Sequence, residues 1–368
     1  MMQFRVDLAT AGDDAAIRGL YRSQPMPGRI SVAFEREPDF SLGCRVTGED
    51  CQIVVARTAT DGEIAGVACR SGRQVYLNGC EQRIGYLGQL RIDERYRGRW
   101  LVSRGFGLLK QLHDRDPLPA YLISIVDGNS EATGVLVRNR RKIFPAFHPV
   151  ADFCTLAVSV RGYKPALARD ASIAGADARQ LGEIAAFLRS CGARRQFFPV
   201  WTEEKLRGLT ELGLRIEDLR ILRRGGEIIG VAGLWDQSSY KQTVVHGYSG
   251  WLKAAAPIYN LSAPWLGRAA LPRPGEKLRS AYAAFICVVN DDADIFAALV
   301  RELYNLARFR GFEYLLIGLD ARDPLLPVAR EYAHVAYPSK LYLAEWPDGG
   351  HVHEQLDRRP AYVDIATL

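Results

Sequence analysis

Residues 85–101 read GYLGQLRIDERYRGRWL. An apolar strand runs into a turn carrying Arg95, Arg97, Gly98 and Arg99, and a helix opens directly after it. The start of a helix carries unpaired backbone N–H groups and a partial positive charge. With arginines around it and a glycine in the turn, this start is suited to a phosphate group. The following stretch, to about residue 113, places Leu101, Val102, Phe106, Leu109 and Leu112 on one helical face. YLISIV at 121–126 then reads as a strand, and a short helix begins near Asn129.

Outward from this unit, the chain repeats itself. Gly62-Glu63-Ile64-Ala65-Gly66-Val67-Ala68 returns as Gly226-Glu227-Ile228-Ile229-Gly230-Val231-Ala232, an offset of 164 (226 − 62). Each copy follows an apolar run, QIVVAR at 52–57 or LRILRR at 219–224, across a glycine-containing turn, which is a hairpin signature. Tyr121-Leu122-Ile123 is echoed by Tyr314-Leu315-Leu316 at an offset of 193 (314 − 121). The second copy therefore holds 29 extra residues (193 − 164), assigned to the Pro/Trp-rich stretch 256–277. The reading is two tandem domains, 1–160 and 179–346, joined by a linker at 161–178 and followed by a polar tail at 347–368. Each domain is a central mixed sheet flanked by helices, an α/β arrangement of the α+β mixed-sheet kind. A length of 368 residues suits two domains, and an apolar fraction of 48% supports packed cores.

The net charge of +6 is mild, and no basic stripe with interleaved aromatics indicates a nucleic-acid partner. Seven cysteines, at 44, 51, 69, 80, 154, 191 and 287, form no C-x-x-C pair. That pattern suits reduced thiols in a cytoplasmic protein and gives no zinc-site spacing, so no metal is expected. No signal peptide or apolar run of membrane-spanning length is visible, so no membrane association is expected. His351 and His353 in GGHVHE are assigned to the polar tail.

The order strand, Arg-rich turn, helix resembles the acetyl-CoA pyrophosphate loop of the GCN5-related N-acetyltransferase (GNAT) superfamily, whose pattern is Q/R-x-x-G-x-G/A. Arg95 and Gly98 occupy the first two anchor positions, and Trp100 stands where the family has a small residue. Asn129-Ser130-Glu131-Ala132 is similar to the family's N-x-x-A turn beside the pantetheine arm. The resemblance implies acetyl-CoA or another acyl-CoA as co-substrate. Its pyrophosphate would sit on the amides of Arg97, Gly98, Arg99, Trp100 and Leu101, and its pantetheine along Leu90, Arg91 and Ile92, near Asn129. It also implies transfer of the acyl group to an amine of a small molecule or peptide. The second copy has Asp291-Asp292-Ala293-Asp294 where the first has its arginines, so only the first copy is expected to bind CoA.

The family's positions for a catalytic base and a tyrosine acid fall on Ile84 and Leu136, neither of which can serve. The remaining proton-active residue is Tyr86, which by strand parity shares a face with Ile84, Gly88 and Leu90, with Gln89 on the other face. Two alternatives stay open. One is a GNAT-fold binding or regulatory protein without catalysis; the other is a transferase using a carrier-bound acyl group or aminoacyl-tRNA. The acceptor is expected among loop residues of 24–50 and 256–277, and sequence does not speak to oligomeric state.

Overall fold

In the computed structural model, residues 3–26, 28, 30–98, 100–137, 143–167, 171–250, 253, 260 and 271–368 are described. The first half contributes β1 (Phe4–Leu8), β2 (Ile30–Glu35), β3 (Glu49–Thr58), β4 (Ile64–Leu77), β5 (Cys80–Ile92), β6 (Tyr121–Val126) and β7 (Ala146–Ser159). The second contributes β8 (Ser172–Gly175), β9 (Leu214–Arg224), β10 (Glu227–Trp235), β11 (Gln242–Tyr248), β12 (Ser280–Val288), β13 (Tyr314–Asp320) and β14 (His334–Glu345). Twelve strands form one sheet in the order β1-β3-β4-β5-β6-β14-β7-β13-β12-β10-β9-β8. Among the described residues its only parallel strand pairs are β5·β6 and β12·β13.

The sheet order shows the duplication and something the sequence repeat does not. Read inward from its two margins, the sheet runs β1-β3-β4-β5-β6 on one side and β8-β9-β10-β12-β13 on the other, but the last strands of the two halves are exchanged. β14 lies between β6 and β7, in antiparallel register from Ser339↔Val126 to Ala344↔Tyr121 on one side and from His334↔Val158 to Glu345↔Ala146 on the other. β7 likewise lies between β14 and β13. The expected division at 160/179 is therefore not a division of the sheet. The stretch read as a linker contains β8, which pairs with β9, and the stretch read as a polar tail is buried from Ala361 to Thr367.

Local sequence explains the main elements. Helix α1 (Asp14–Ser23) begins after Asp13, whose carboxylate is held well below the usual range chiefly by the Arg57 guanidinium. Helix α2 (Phe40–Arg45) begins after Asp39, which accepts the Ser41 N–H. Asn78-Gly79 takes positive φ at both residues (52° and 83°) and turns β4 into β5, the turn chemistry two-residue hairpins favour. Helix α3 (Leu101–Arg115) buries Leu101, Phe106, Leu109 and Leu112, the face its periodicity predicts. It packs on β1, β3 and β4, and helix Ala293–Phe309 does the same on β9, β10 and β12. Helices α1 and α2 cover the opposite face of the first half, through Ile17, Leu20, Tyr21, Phe40 and Cys44. β2 and β11 form a separate two-stranded sheet that ties the halves together. No helix among the described residues is long and apolar enough to cross a membrane.

Because β6 and β7 meet only through β14, a fragment of residues 1–160 leaves both strands with an unpaired apolar edge. We expect it to be insoluble or to lack a cooperative thermal transition, whereas 1–160 co-expressed with 161–368 is recovered as a complex. A well-folded, monomeric 1–160 would contradict the exchanged-strand arrangement.

Candidate functional site

β5 and β6 pair only at Gly85↔Tyr121 and Tyr86↔Leu122 and then part. β6 is held on its other side by β14, and β5 bends away at a bulge where Gln89 has φ 61° and the register with β4 shifts between Val67 and Cys69. From Leu87 to Ile92 no strand among the described residues takes the edge of β5 that faces β6. Leu90, Arg91 and Ile92 are half-buried along this open edge. The cleft therefore offers a strand edge of the kind an extended amide-bearing ligand can pair with.

The second half repeats the geometry. β12 and β13 pair from Ser280↔Tyr314 to Tyr282↔Leu316 and part at a bulge where Phe285 has φ 57°. Here the gap is filled by the chain itself. The Phe285 N–H donates to Asp364 Oδ2 (2.8 Å) and the Ile286 N–H to Tyr362 Oη (3.0 Å). Across the gap, the Ala361 N–H donates to Asp320 Oδ2 (3.0 Å) on β13, and a methyl added at Gly318 would lie 2.2 Å from Ile365. Burial pushes the Asp364 carboxyl up to about 6, opposed by the two N–H groups it accepts from.

The helix starts differ in the same sense. At Ala293–Phe309, Asp292 accepts from the N–H groups of Asp294 (2.9 Å) and Ile295 (3.0 Å), so these amides are occupied and an acid sits at the helix start. α3 has no acid in its first turn, and its N-cap, Trp100, makes no side-chain capping bond. The turn before α3 needs left-handed backbone at Gly98 (φ 73°) and Trp100 (φ 63°), and nothing lies within 4 Å of a methyl added at Gly98. Trp100 is 57% exposed. Arg97 is exposed and pairs with Glu131 at 3.2 Å. Arg99 lies outside the described residues. Leu101 is buried against Phe4 and Tyr96.

Arg95, the first anchor of the sequence motif, is committed elsewhere. Its guanidinium pairs with Asp93 (2.5 Å) and Glu63 (2.6 Å), and the Tyr96 hydroxyl donates to Glu63 (2.8 Å). These contacts tie the turn to the β3–β4 loop. Asn129 caps the turn Ser130–Ala132, its side chain accepting the Ala132 N–H at 3.0 Å. Ile84 and Leu136 are buried in separate apolar clusters.

Tyr86 sits where the two strands part. It is 6% exposed, and a methyl added at Gly88 would lie 3.0 Å from its hydroxyl, so the ring reaches over Gly88 toward the bulge. The Arg73 guanidinium lies 4.9 Å from the ring centre. Burial raises the Tyr86 hydroxyl above its usual range, opposed by the Arg73 charge, so it is protonated at neutral pH. Strand parity fails just beyond it. Gln89 was expected on the opposite face from Tyr86, but its Oε1 accepts from Tyr21 Oη (3.1 Å) and Arg36 Nη2 (3.3 Å) on the α1–α2 side. Leu90 turns instead toward α3, where it packs in the cluster with Phe106 and Leu109. The bulge inserts one residue and inverts the alternation after it.

Sequence reasoning missed Arg36, Arg73 and Lys241, which converge on this face. Arg73 donates to Thr367 Oγ1 (3.0 Å) and Thr367 O (2.9 Å), and Lys241 Nζ donates to Leu368 O (2.8 Å). Burial drives the Lys241 amine well below its ordinary range. No spacing in the sequence links these residues. His353, assigned to a polar tail, contacts the buried Glu345 (3.1 Å) and stacks on His148 with ring centres 3.3 Å apart. That cluster lies at the end of β14 remote from the cleft.

No protein family matches the sequence, and no curated protein does. Solved structures do. A GCN5-related glucosamine N-acetyltransferase region of a fungal multi-domain GH3 β-N-acetylglucosaminidase superposes with a TM-score of 0.63 at 16% identity. The alignment covers 93% of this chain and 38% of that one, so this chain spans well under half of that protein's length. A GCN5-related N-acetyltransferase from Sphaerobacter thermophilus gives 0.56 at 13% identity, covering 99% and 98%. N-myristoyltransferase of Saccharomyces cerevisiae, solved with bound myristoyl-CoA, gives 0.63 at 9% identity, covering 93% and 82%. The fold is the GCN5-related N-acetyltransferase fold, present twice in one continuous sheet.

Two measurements check the contrast between the halves. Arg97→Glu places an acid beside a helix start that has no acid in its first turn, and should weaken CoA binding more than about tenfold in calorimetric titration. Arg308→Glu, on the exposed far end of helix Ala293–Phe309, should leave it unchanged. Asp364→Ala leaves the buried Phe285 N–H without its acceptor, and should lower unfolding free energy by about 1–3 kcal/mol in denaturant titration. A loss under about half a kcal/mol would mean the tail does not fill the second cleft in solution.

Proposed function

We propose that the chain is an acyl-CoA-dependent N-acyltransferase whose first half alone holds the acyl-CoA, with acetyl-CoA the donor and an amine of a small molecule or peptide the acceptor. The carrying observation is the contrast between an open cleft at β5/β6 and an equivalent cleft at β12/β13 filled by residues 361–366. The open edge at Leu90–Ile92 is suited to the amides of a pantetheine arm. The turn Arg97–Leu101, leading into a helix with no first-turn acid, is suited to a pyrophosphate. Asn129 caps the turn on the opposite wall of the cleft.

In this reading the acyl thioester lies at the bulge, beside Tyr86. A neutral amine attacks the carbonyl carbon, the C–N bond forms and the C–S bond breaks, and the thiolate takes a proton. Tyr86, protonated and aimed toward the bulge, is the donor the geometry favours. The amine's proton leaves through water, since no carboxylate stands at position 84. The acceptor would approach from the α1–α2 side. There β2, within the segment 24–50, pairs with β11, which directly precedes the inserted stretch. Most of 256–277 lies outside the described residues.

One observation favours a second reading, a binding protein without catalysis: the positions for base and acid are both apolar and buried, Ile84 fully and Leu136 at 6% exposure. Tyr86→Phe separates the two, because it keeps the ring and removes only the hydroxyl. As a general acid, Tyr86 should account for at least about tenfold in turnover of acetyl-CoA with a panel of amines, while CoA affinity stays level. Unchanged turnover would return Tyr86 to a packing role. No turnover in the parent protein, with CoA binding intact, would favour the binding protein.

A further inference from the structure

Three of the seven cysteines, distant in sequence and without any metal-binding spacing, meet in the first half. Cys44 comes from α2, Cys51 from the start of β3 and Cys69 from the middle of β4. Their sulfur atoms all lie within 4.8 Å of one another, and Cys44 Sγ and Cys69 Sγ are 3.7 Å apart. With Zn–S bonds of about 2.3 Å in tetrahedral geometry, two ligating sulfurs stand about 3.8 Å apart. The observed spacing is that of thiolates sharing one ion, not that of a disulfide, whose sulfurs are about 2 Å apart.

The position of Cys51 is a product of local backbone. The register of β3 against β4 shifts between Glu49 and Gln52, and Asp50 takes φ 51°. This irregularity falls immediately before Cys51, at the point where β3 reaches the other two thiols. Cys44 and Cys69 are buried, whereas Cys51 is partly exposed, which gives an ion a route in and leaves one corner of the site to solvent.

We propose that Cys44, Cys51 and Cys69 form a three-thiolate site for a single thiophilic divalent cation of the zinc type. Charge selects the class of ion. Three thiolates around a monovalent soft cation would bury a net charge of −2, whereas a divalent one leaves −1. The buried Arg36 side chain lies over Gly43, next to Cys44, with its Nε 3.3 Å from where a methyl on Gly43 would stand, and its charge offsets that remainder. Cys69 is paired with Gly88, next to the Gln89 bulge. An ion here would pin α2 and the start of β3 to the strand that backs the acyl cleft.

The test uses the full chain, reduced and freed of metal, titrated with Co2+ and then with Zn2+ in competition. The expected result is one ion per chain, with thiolate-to-cobalt charge-transfer absorption that Zn2+ abolishes. Zn2+ should also raise the thermal midpoint of the wild type. Cys51→Ser changes the most accessible ligand and spares the core. It should weaken Zn2+ binding at least about tenfold and abolish the thermal shift. Cys80→Ser, at an exposed cysteine outside the cluster, should do neither. Cobalt binding without charge-transfer absorption would overturn the proposal, as would Zn2+ affinity unaltered in a folded Cys51→Ser. A tenfold loss of Zn2+ affinity in Cys80→Ser would overturn it too. Neither readout depends on transferase activity, so failure here leaves the acyl-CoA reading standing.

Discussion

The pairing of β14 between β6 and β7 is the constraint on which the rest of the molecule depends. β14 is paired with β7 from His334 to Glu345 and with β6 from Ser339 to Ala344. It holds β6 away from β5, and the cleft exists because β6 cannot follow β5 past Leu122. By the same exchange β7 holds β13 away from β12. The exchange also removes the two inner edges that separate half-sheets would expose, where apolar strands invite association. Two copies of one unit thus become a single sheet with only β1 and β8 at its margins.

A sheet that splays must satisfy the polar groups it separates. In the second half the chain supplies that itself, with Asp364 and Tyr362 accepting the amides of β12 and Asp320 accepting one from the incoming segment. In the first half the corresponding edge is left to whatever occupies the cleft. One helix start is likewise occupied by Asp292, and the other carries no acid. The two differences are independent in sequence, one at Asp292 and the other at Tyr362 and Asp364, and both set the first half apart from the second.

Much of the fold was legible because its signals are local. The GEI-x-GVA repeat marks the two hairpins, YLISIV is β6 to the residue, and the apolar face of 101–113 is the buried face of α3. The strand exchange was not legible, since β7 and β14 have the same apolar character whichever half they join. The tail from Ala361 to Thr367 looked polar because of the charged stretch before it, while its buried residues apart from Asp364 are small, aromatic or aliphatic. Within the site, Gly98 and Asn129 carry their roles in residue type alone. Arg95 misleads, because a guanidinium near a helix start serves a phosphate or a neighbouring carboxylate equally well, and Asp93 and Glu63 are nearer. The convergence of Cys44, Cys51 and Cys69 is tertiary and leaves no spacing to read.

The bulge decides how the site should be compared between halves. Gln89 and Phe285 have nearly the same left-handed backbone, and each stands three residues after a tyrosine, the buried Tyr86 or the half-buried Tyr282. A left-handed conformation at a residue other than glycine is held only where the surroundings impose it. Its retention at Phe285, in a cleft that no ligand can enter past Asp364, shows that the bulge belongs to the splaying of the strands and not to catalysis. Tyr86 is then not distinguished by its place before a bulge, since Tyr282 shares it. What distinguishes Tyr86 is an open cleft ahead of it, a glycine at 88 that lets its hydroxyl reach the bend, and a buried arginine over its ring. In the proposed reading those three features would carry the chemistry of the first half, and the fold they sit on is common to both.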